Sequence, residues 1–187
     1  MNKYIISLAV ASLMAGATSI TAQAASTTTV SGGTIHFMGS VADAPCSVSA
    51  SSEHGIVMLD QVTLDSLGAK GEASGQAKPF NISLEDCDVS TYTNATVTFN
   101  GQSSPDQPGV LANTAGSGAA TGVALQLYGP DGKVLNLGTA SSSQTLATGT
   151  NKIPMSVDYV ATDDAATAGA VTAGAVESVA TFQITYS

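Results

Sequence analysis

The sequence predicts an all-β sandwich, and three observations carry that prediction. Apolar and polar residues alternate in short runs broken by Gly, Pro, Asn and Asp, the period-two signature of strands buried on one face. No segment holds a helical period with caps at both ends. Apolar residues make up 43% of the 187 residues and charged residues only 10%, which leaves ample material for a core and argues against disorder.

Taken in order, the first element is an address. Lys3 precedes an apolar stretch from Tyr4 to Ala17, and Ala22-Gln23-Ala24 places small residues where a signal peptidase reads them. Residues 1–24 are expected to be a secretory signal peptide; the apolar core falls short of the ~20 residues of a membrane span. Export makes the two cysteines interpretable. In an oxidising compartment Cys46 and Cys87 are expected to form one structural disulfide, stabilising by roughly 3–4 kcal/mol through loop closure. Their spacing is unlike the Cys-x-x-Cys of redox-active pairs.

The strands follow. Gly55–Leu59 is a compact β-rich run, and Phe80–Leu84 and Ala95–Phe99 alternate with period two. Val123–Tyr128 and Lys133–Leu137 flank Gly129-Pro130-Asp131-Gly132, which predicts a hairpin. Ile153–Val160 is a further strand, and Pro154 places its start at a sheet edge or bulge. The last run, Val176 to Ser187, alternates through Val176, Ala180, Phe182, Ile184 and Tyr186. Val62–Leu67 has room for a single helical turn. Residues 101–122 and 163–174, rich in Gly, Ala, Ser and Thr, are expected to be loops. Nothing after residue 24 marks a boundary between two folded domains.

Charge and chemistry exclude more than they support. With 5 Lys, no Arg and a net charge of −9, nucleic acid is not expected as a partner, because phosphate neutralisation supplies most of that affinity. Only His36 and His54 could act as imidazole bases, and neither neighbours a Gly-x-Ser-x-Gly elbow. Two histidines do not build a copper–zinc site. The acids around Cys87 and at Asp163-Asp164 lack calcium-loop spacing. No catalytic residue, metal site or cofactor is expected.

The two ends remain. Ile35, Phe37, Gly39 and Val41 alternate ahead of the first cysteine, outside any disulfide loop. They are either the first strand of the sandwich or a free apolar arm, which would invite edge pairing.

Several stretches together resemble the pilin subunits of chaperone–usher fimbriae, and among them the major rod subunit of type 1 fimbriae. They are Gly32 to Val41, Ala44-Pro45-Cys46-Ser47-Val48, Phe80 to Cys87, Asn151-Lys152-Ile153-Pro154-Met155, and Ala180 to Ser187 with Gly174. They spread over all of residues 25–187. The resemblance implies an incomplete immunoglobulin-like sandwich lacking its last strand, with residues 44–187 as the pilin domain and 25–43 as an N-terminal donor-strand extension. It implies that Ile35, Phe37, Gly39 and Val41 enter a groove in the next subunit. It also implies that Val176, Ala180, Phe182, Ile184 and Tyr186, with Gly174, form the groove strand that a periplasmic chaperone recognises. The partners so implied are copies of itself, the chaperone, an outer-membrane usher and other fimbrial subunits. The product is an adhesive fibre on the cell surface. A minor or adaptor subunit shares every one of these motifs, and a secreted sandwich that binds a ligand is the reading from another class.

Overall fold

The computed structural model describes residues 29–39, 41, 43–163, 167 and 169–187. The expected signal peptide, residues 25–28, 40 and 42 of the expected arm, and residues 164–166 and 168 of the expected 163–174 loop lie outside the described residues. The chain divides into two units, residues 1–40 and 41–187. In the first, residues 29–39 carry no regular element, and Ile35, Phe37 and Met38 are exposed.

The second unit is a two-sheet antiparallel sandwich. Its strands are β1 (Ser47–Val48), β2 (Lys78–Cys87), β3 (Asn94–Gly101), β4 (Leu111–Ala112), β5 (Val123–Tyr128), β6 (Val134–Leu135), β7 (Gln144–Thr145), β8 (Gly149–Ala161) and β9 (Ala180–Tyr186). One sheet runs β1-β2-β8-β5-β4, with β6 also on β5; the other runs β7-β3-β9. Inward residues of both sheets form the main core: Ile82 and Leu84 of β2, Val97 and Phe99 of β3, Leu125 and Leu127 of β5, and Ile153, Met155 and Val157 of β8. Each set is spaced by two, as a pleated strand with one buried face requires.

Local structure departs from the sequence pattern in several places. In β2 the buried residues step from Leu84 to Cys87, a spacing of three, because the ladder with β8 shifts register between them. Asp86 takes φ 53° at that bulge, a left-handed conformation that Asp tolerates better than most residues. The extra residue keeps Leu84 and Cys87 both facing inward, and Cys87 is bonded to Cys46.

Pro154 lies well inside β8, not at its start. It pairs with Asn81, in the stretch where β8 has β2 on one flank and β5 has not yet joined; the β5 ladder begins at Ser156. This is a local sheet edge, where a missing N–H is tolerated.

The run Gly55–Leu59 forms no strand despite its composition. It follows a single turn of helix, α1 (Ala50–Glu53), which sequence patterning did not indicate. The hairpin around Pro130-Asp131-Gly132 forms with Leu127 opposite Leu135 and Tyr128 opposite Val134. The Gly-rich stretch 101–122, expected to be loop, contributes β4, whose Leu111 and Ala112 are buried. On the outer face of β8, Asp158 is 2% exposed and accepts hydrogen bonds from Ser74 Oγ (2.5 Å), Gly75 N (3.0 Å) and Tyr159 N (2.8 Å). Those bonds pin the 73–75 turn across the sheet.

Candidate functional site

The second sheet ends at β9, which has β3 on one side and no strand on the other among the described residues. The ladder decides which backbone groups are left over. Asn94 and Ser187 exchange both hydrogen bonds, Ser187 N to Asn94 O (3.0 Å) and Asn94 N to Ser187 O (2.9 Å). Antiparallel alternation then spends the groups of residues 185, 183 and 181 on β3 and turns those of Tyr186, Ile184, Phe182 and Ala180 to the open edge. The same four residues point their side chains inward and are half-buried, while Thr181, Gln183 and Thr185 are exposed. Backbone donors, acceptors and apolar side chains thus face one vacant strand position.

Beside that edge lies a cavity of about 870 Å³, with Phe80, Ile82, Phe99, Leu111, Leu125 and Phe182 among its lining residues. These residues come from both sheets, so the cavity is a gap in the seam of the sandwich. Three phenyl rings cross it: Phe80 meets Phe99 edge-on at 6.3 Å, and Phe99 meets Phe182 at 6.1 Å.

The opposite lip is the unpaired segment Gly55–Met58, where Ile56 is 86% and Met58 75% exposed. It is fastened at both ends. Before it, Ser52 Oγ accepts the N–H of Ser83 at 2.9 Å; after it, Asp60 pairs with Lys78 at 2.8 Å and its carbonyl accepts from Tyr159 OH at 3.1 Å. A segment held at both ends and laddered on neither side has its own backbone groups to offer.

The electrostatics suit an apolar guest. Burial raises the Tyr186 phenol above its ordinary pKa, so that residue is neutral at physiological pH. His54 lines the cavity beside Glu53. Among the described residues no three His, Cys, Asp or Glu side chains converge to hold a metal ion.

The sequence-selected residues are distributed unevenly. Ala180, Phe182, Ile184 and Tyr186 lie on β9, facing the seam. Val176 and Gly174 precede that strand. Gly174 packs against the backbone of Gly118, Ala119 and Ala120, where a Cβ would find no room. Both line a second cavity, of about 330 Å³, with Val62, Leu67 and Tyr159. Ile35, Phe37, Gly39 and Val41 are exposed and lie in no strand.

Sequence reasoning missed Phe80, Phe99 and the 55–58 lip as walls. Their alternation marks an inward face, but periodicity does not distinguish a filled seam from an open one.

A protein-family model described as "Fimbrial protein" matches residues 35–187. The fimbrial subunit type 1 of Klebsiella pneumoniae is 42% identical over 183 residues, 96% of this chain and 97% of that protein. Among solved structures, the P pilus rod subunit PapA is similar with a TM-score of 0.61 and 26% identity, over 77% of this chain and all of PapA. A structure described as revealing the basis of rod uncoiling in a chaperone–usher pilus is similar with a TM-score of 0.68 and 28% identity, over 87% of this chain and all of that one.

Proposed function

The chain belongs to the fimbrial protein family, and on that premise we propose that it is the repeating structural subunit of a surface fimbria, assembled when each copy donates its N-terminal arm to the next. The observation that carries the proposal is the open edge of β9 above an apolar gap of about 870 Å³. A sandwich so built is short of one strand, and Ile35, Phe37, Gly39 and Val41 have the alternation of the strand it lacks.

The mechanism is strand addition between chains. Main-chain hydrogen bonds to the free edge set direction, and the alternate side chains fill the seam. Burying Ile35, Phe37 and Val41 at ~1.5–3 kcal/mol each supplies roughly 5–9 kcal/mol before ordering costs. Donation from arm to groove joins two different surfaces, so each added copy presents a fresh site and the assembly stays open as a filament.

The same edge creates a problem before assembly, because an exposed apolar strand position aggregates. A periplasmic chaperone that lends a strand until an outer-membrane usher admits the next subunit solves it. Those two partners, export through the periplasm and display at the cell surface belong to the proposal, as do the donor roles of residues 25–43 and the groove role of β9.

The test is electron microscopy of cells expressing the chain with its secretion machinery. Ile35→Asp with Phe37→Asp is expected to abolish fibres while the subunit still accumulates in the periplasm. Wild-type numbers of fibres from that double variant would overturn the proposal.

A further inference from the structure

Beside the start of β9 lies a pair of residues that strand addition does not use. β3 ends in Asn100-Gly101, and of the asparagines in residues 25–187 Asn100 alone is followed by glycine. In that dipeptide a backbone nitrogen most readily attacks its neighbour's side-chain amide, because glycine has no Cβ to hinder the approach. Both residues are exposed.

The packing calls for the glycine. A Cβ at position 101 would lie 2.5 Å from Leu111 Cδ2 and 3.0 Å from the carbonyl oxygen of Val179, so a side chain opposite Ala180 has to displace both. The attacking nitrogen is also free. On the flank of β3 away from β9, β7 reaches only Asn94 and Ala95. Ser141 N and Gly138 N bond the carbonyls of Val97 and Phe99 there, and among the described residues the Gly101 N–H has no partner. What holds the pair back is β9. The alternation that starts with Asn94 and Ser187 makes Asn100 and Thr181 a hydrogen-bonded pair, and Thr181 Oγ1 also donates to the Asn100 carbonyl, at 3.4 Å. Ring closure requires rotation about the bond between Asn100 Cα and that carbonyl carbon, so the rung must open first.

We propose that Asn100 is a deamidation site gated by the occupancy of the groove. The Gly101 nitrogen loses its proton and attacks Asn100 Cγ; the Cγ–Nδ2 bond breaks and ammonia leaves. Water then opens the cyclic imide at either carbonyl, giving aspartate or isoaspartate. Water is the only co-reactant, and nothing is oxidised or reduced. While the groove is empty, β9 is laddered on one flank, and the Asn100–Thr181 rung opens with the fluctuations of an edge strand. A strand on the other flank adds hydrogen bonds that must break as well. Filled subunits in a fibre are therefore protected, and subunits that wait unfilled are marked. The mark falls where it matters. Isoaspartate lengthens the main chain by one carbon where Leu111 and Val179 crowd it, and either product sets a negative charge beside Thr181. The gating rests on the donor-strand reading of the groove; the site itself does not.

The test is chymotryptic peptide mapping of the full chain after ageing in mildly alkaline buffer, in which the asparaginyl, aspartyl and isoaspartyl forms of one peptide separate. Wild-type fibres are aged beside the Ile35→Asp, Phe37→Asp double variant, whose arm fills no groove. In the double variant Asn100 is expected to deamidate at least ~10-fold faster than Asn81, Asn94, Asn113, Asn136 or Asn151. It is also expected to outpace Asn100 in fibres by at least ~10-fold, since one or two further hydrogen bonds protect it there. Ile35→Ala weakens the arm yet leaves Phe37 and Val41 to assemble fibres; it is expected to age at an intermediate rate and stands in where the double variant precipitates. Asn100→Gln, whose longer side chain must close a larger ring, is expected to stay unmodified in every sample. No excess at Asn100 over the other asparagines, in the double variant or in Ile35→Ala fibres, overturns the site. Equal rates at Asn100 in wild-type fibres and in either arm variant overturn the gating. Fibres from the double variant overturn the donor-strand reading itself, and the ranking of the asparagines then decides the site alone.

Discussion

Supplying the missing strand within one molecule should raise the melting temperature sharply. The perturbation compares the chain from Ala44 to Ser187 with the same chain carrying residues 25–43 after Ser187 through a short flexible linker, both oxidised. The seam offers the added strand a cavity of about 870 Å³ and four half-buried residues on β9. Three arm side chains contribute roughly 5–9 kcal/mol gross. Ordering the strand offsets part of this, and the hydrogen bonds along the open edge restore some of it, leaving a net gain of at least a few kcal/mol. For a domain of this size each kcal/mol is worth about 2–4 °C, so a rise on the order of 10 °C is expected by calorimetry or circular dichroism. The chain without the arm should melt low or aggregate on heating. Equal, high melting temperatures would mean that the sandwich is complete without the arm, and the reasoning from the open edge of β9 would fail.

Other perturbations test the scaffold behind the groove. Gly174→Ala must push a Cβ into the backbone of Gly118, Ala119 and Ala120; a loss of ~1–3 kcal/mol in denaturant unfolding is expected, and wild-type stability would show that the loop yields freely. Replacing Cys46 and Cys87 by Ala opens a loop with a sequence separation of 41 and should lower stability by roughly 3–4 kcal/mol, measured against the oxidised parent. Asp158→Ala leaves the donors Ser74 Oγ, Gly75 N and Tyr159 N without their acceptor, so a cost of ~2–4 kcal/mol is expected. Burial raises the phenols of Tyr128, Tyr159 and Tyr186 in the folded chain. Unfolded tyrosine ionises first, so their contribution is intact below about pH 10 and declines above it. A pH titration of stability should bend downward there, and less so in Tyr186→Phe.

Much of the fold was legible because a pleated strand with one buried face leaves a period of two. Ala95, Val97 and Phe99 are buried in β3 as their alternation requires, and Pro-Asp-Gly turned the chain between β5 and β6. What escaped was decided by neighbours far away in sequence. Gly55–Leu59 has strand composition but nothing beside it to pair with. Leu111-Ala112 sits in a Gly-rich stretch and becomes β4 only because β5 lies alongside. Pro154 marked a sheet edge correctly, yet the strand begins five residues earlier, at Gly149, since the edge is set by where β5 joins. At the candidate site, the inward face of β9 was readable from Ala180 to Tyr186. The hydrogen bonds just before it were not, because they join Glu177 to Asn113 and Thr114, more than 60 residues away.

The Cys46–Cys87 bond also has a mechanical meaning. Tension applied along the N-terminal extension enters the folded unit at Cys46, immediately ahead of β1, which is only two residues long and pairs with β2 at Ser47 and Val48 alone. Hydrogen bonds so few would peel in sequence under load. The covalent link carries the pull past them to Cys87, at the end of ten-residue β2, and from there into the long ladder with β8. Force therefore enters the sheet through its longest ladder. In a fibre of such units the pull passes to the broader sheet and bypasses two-residue β1.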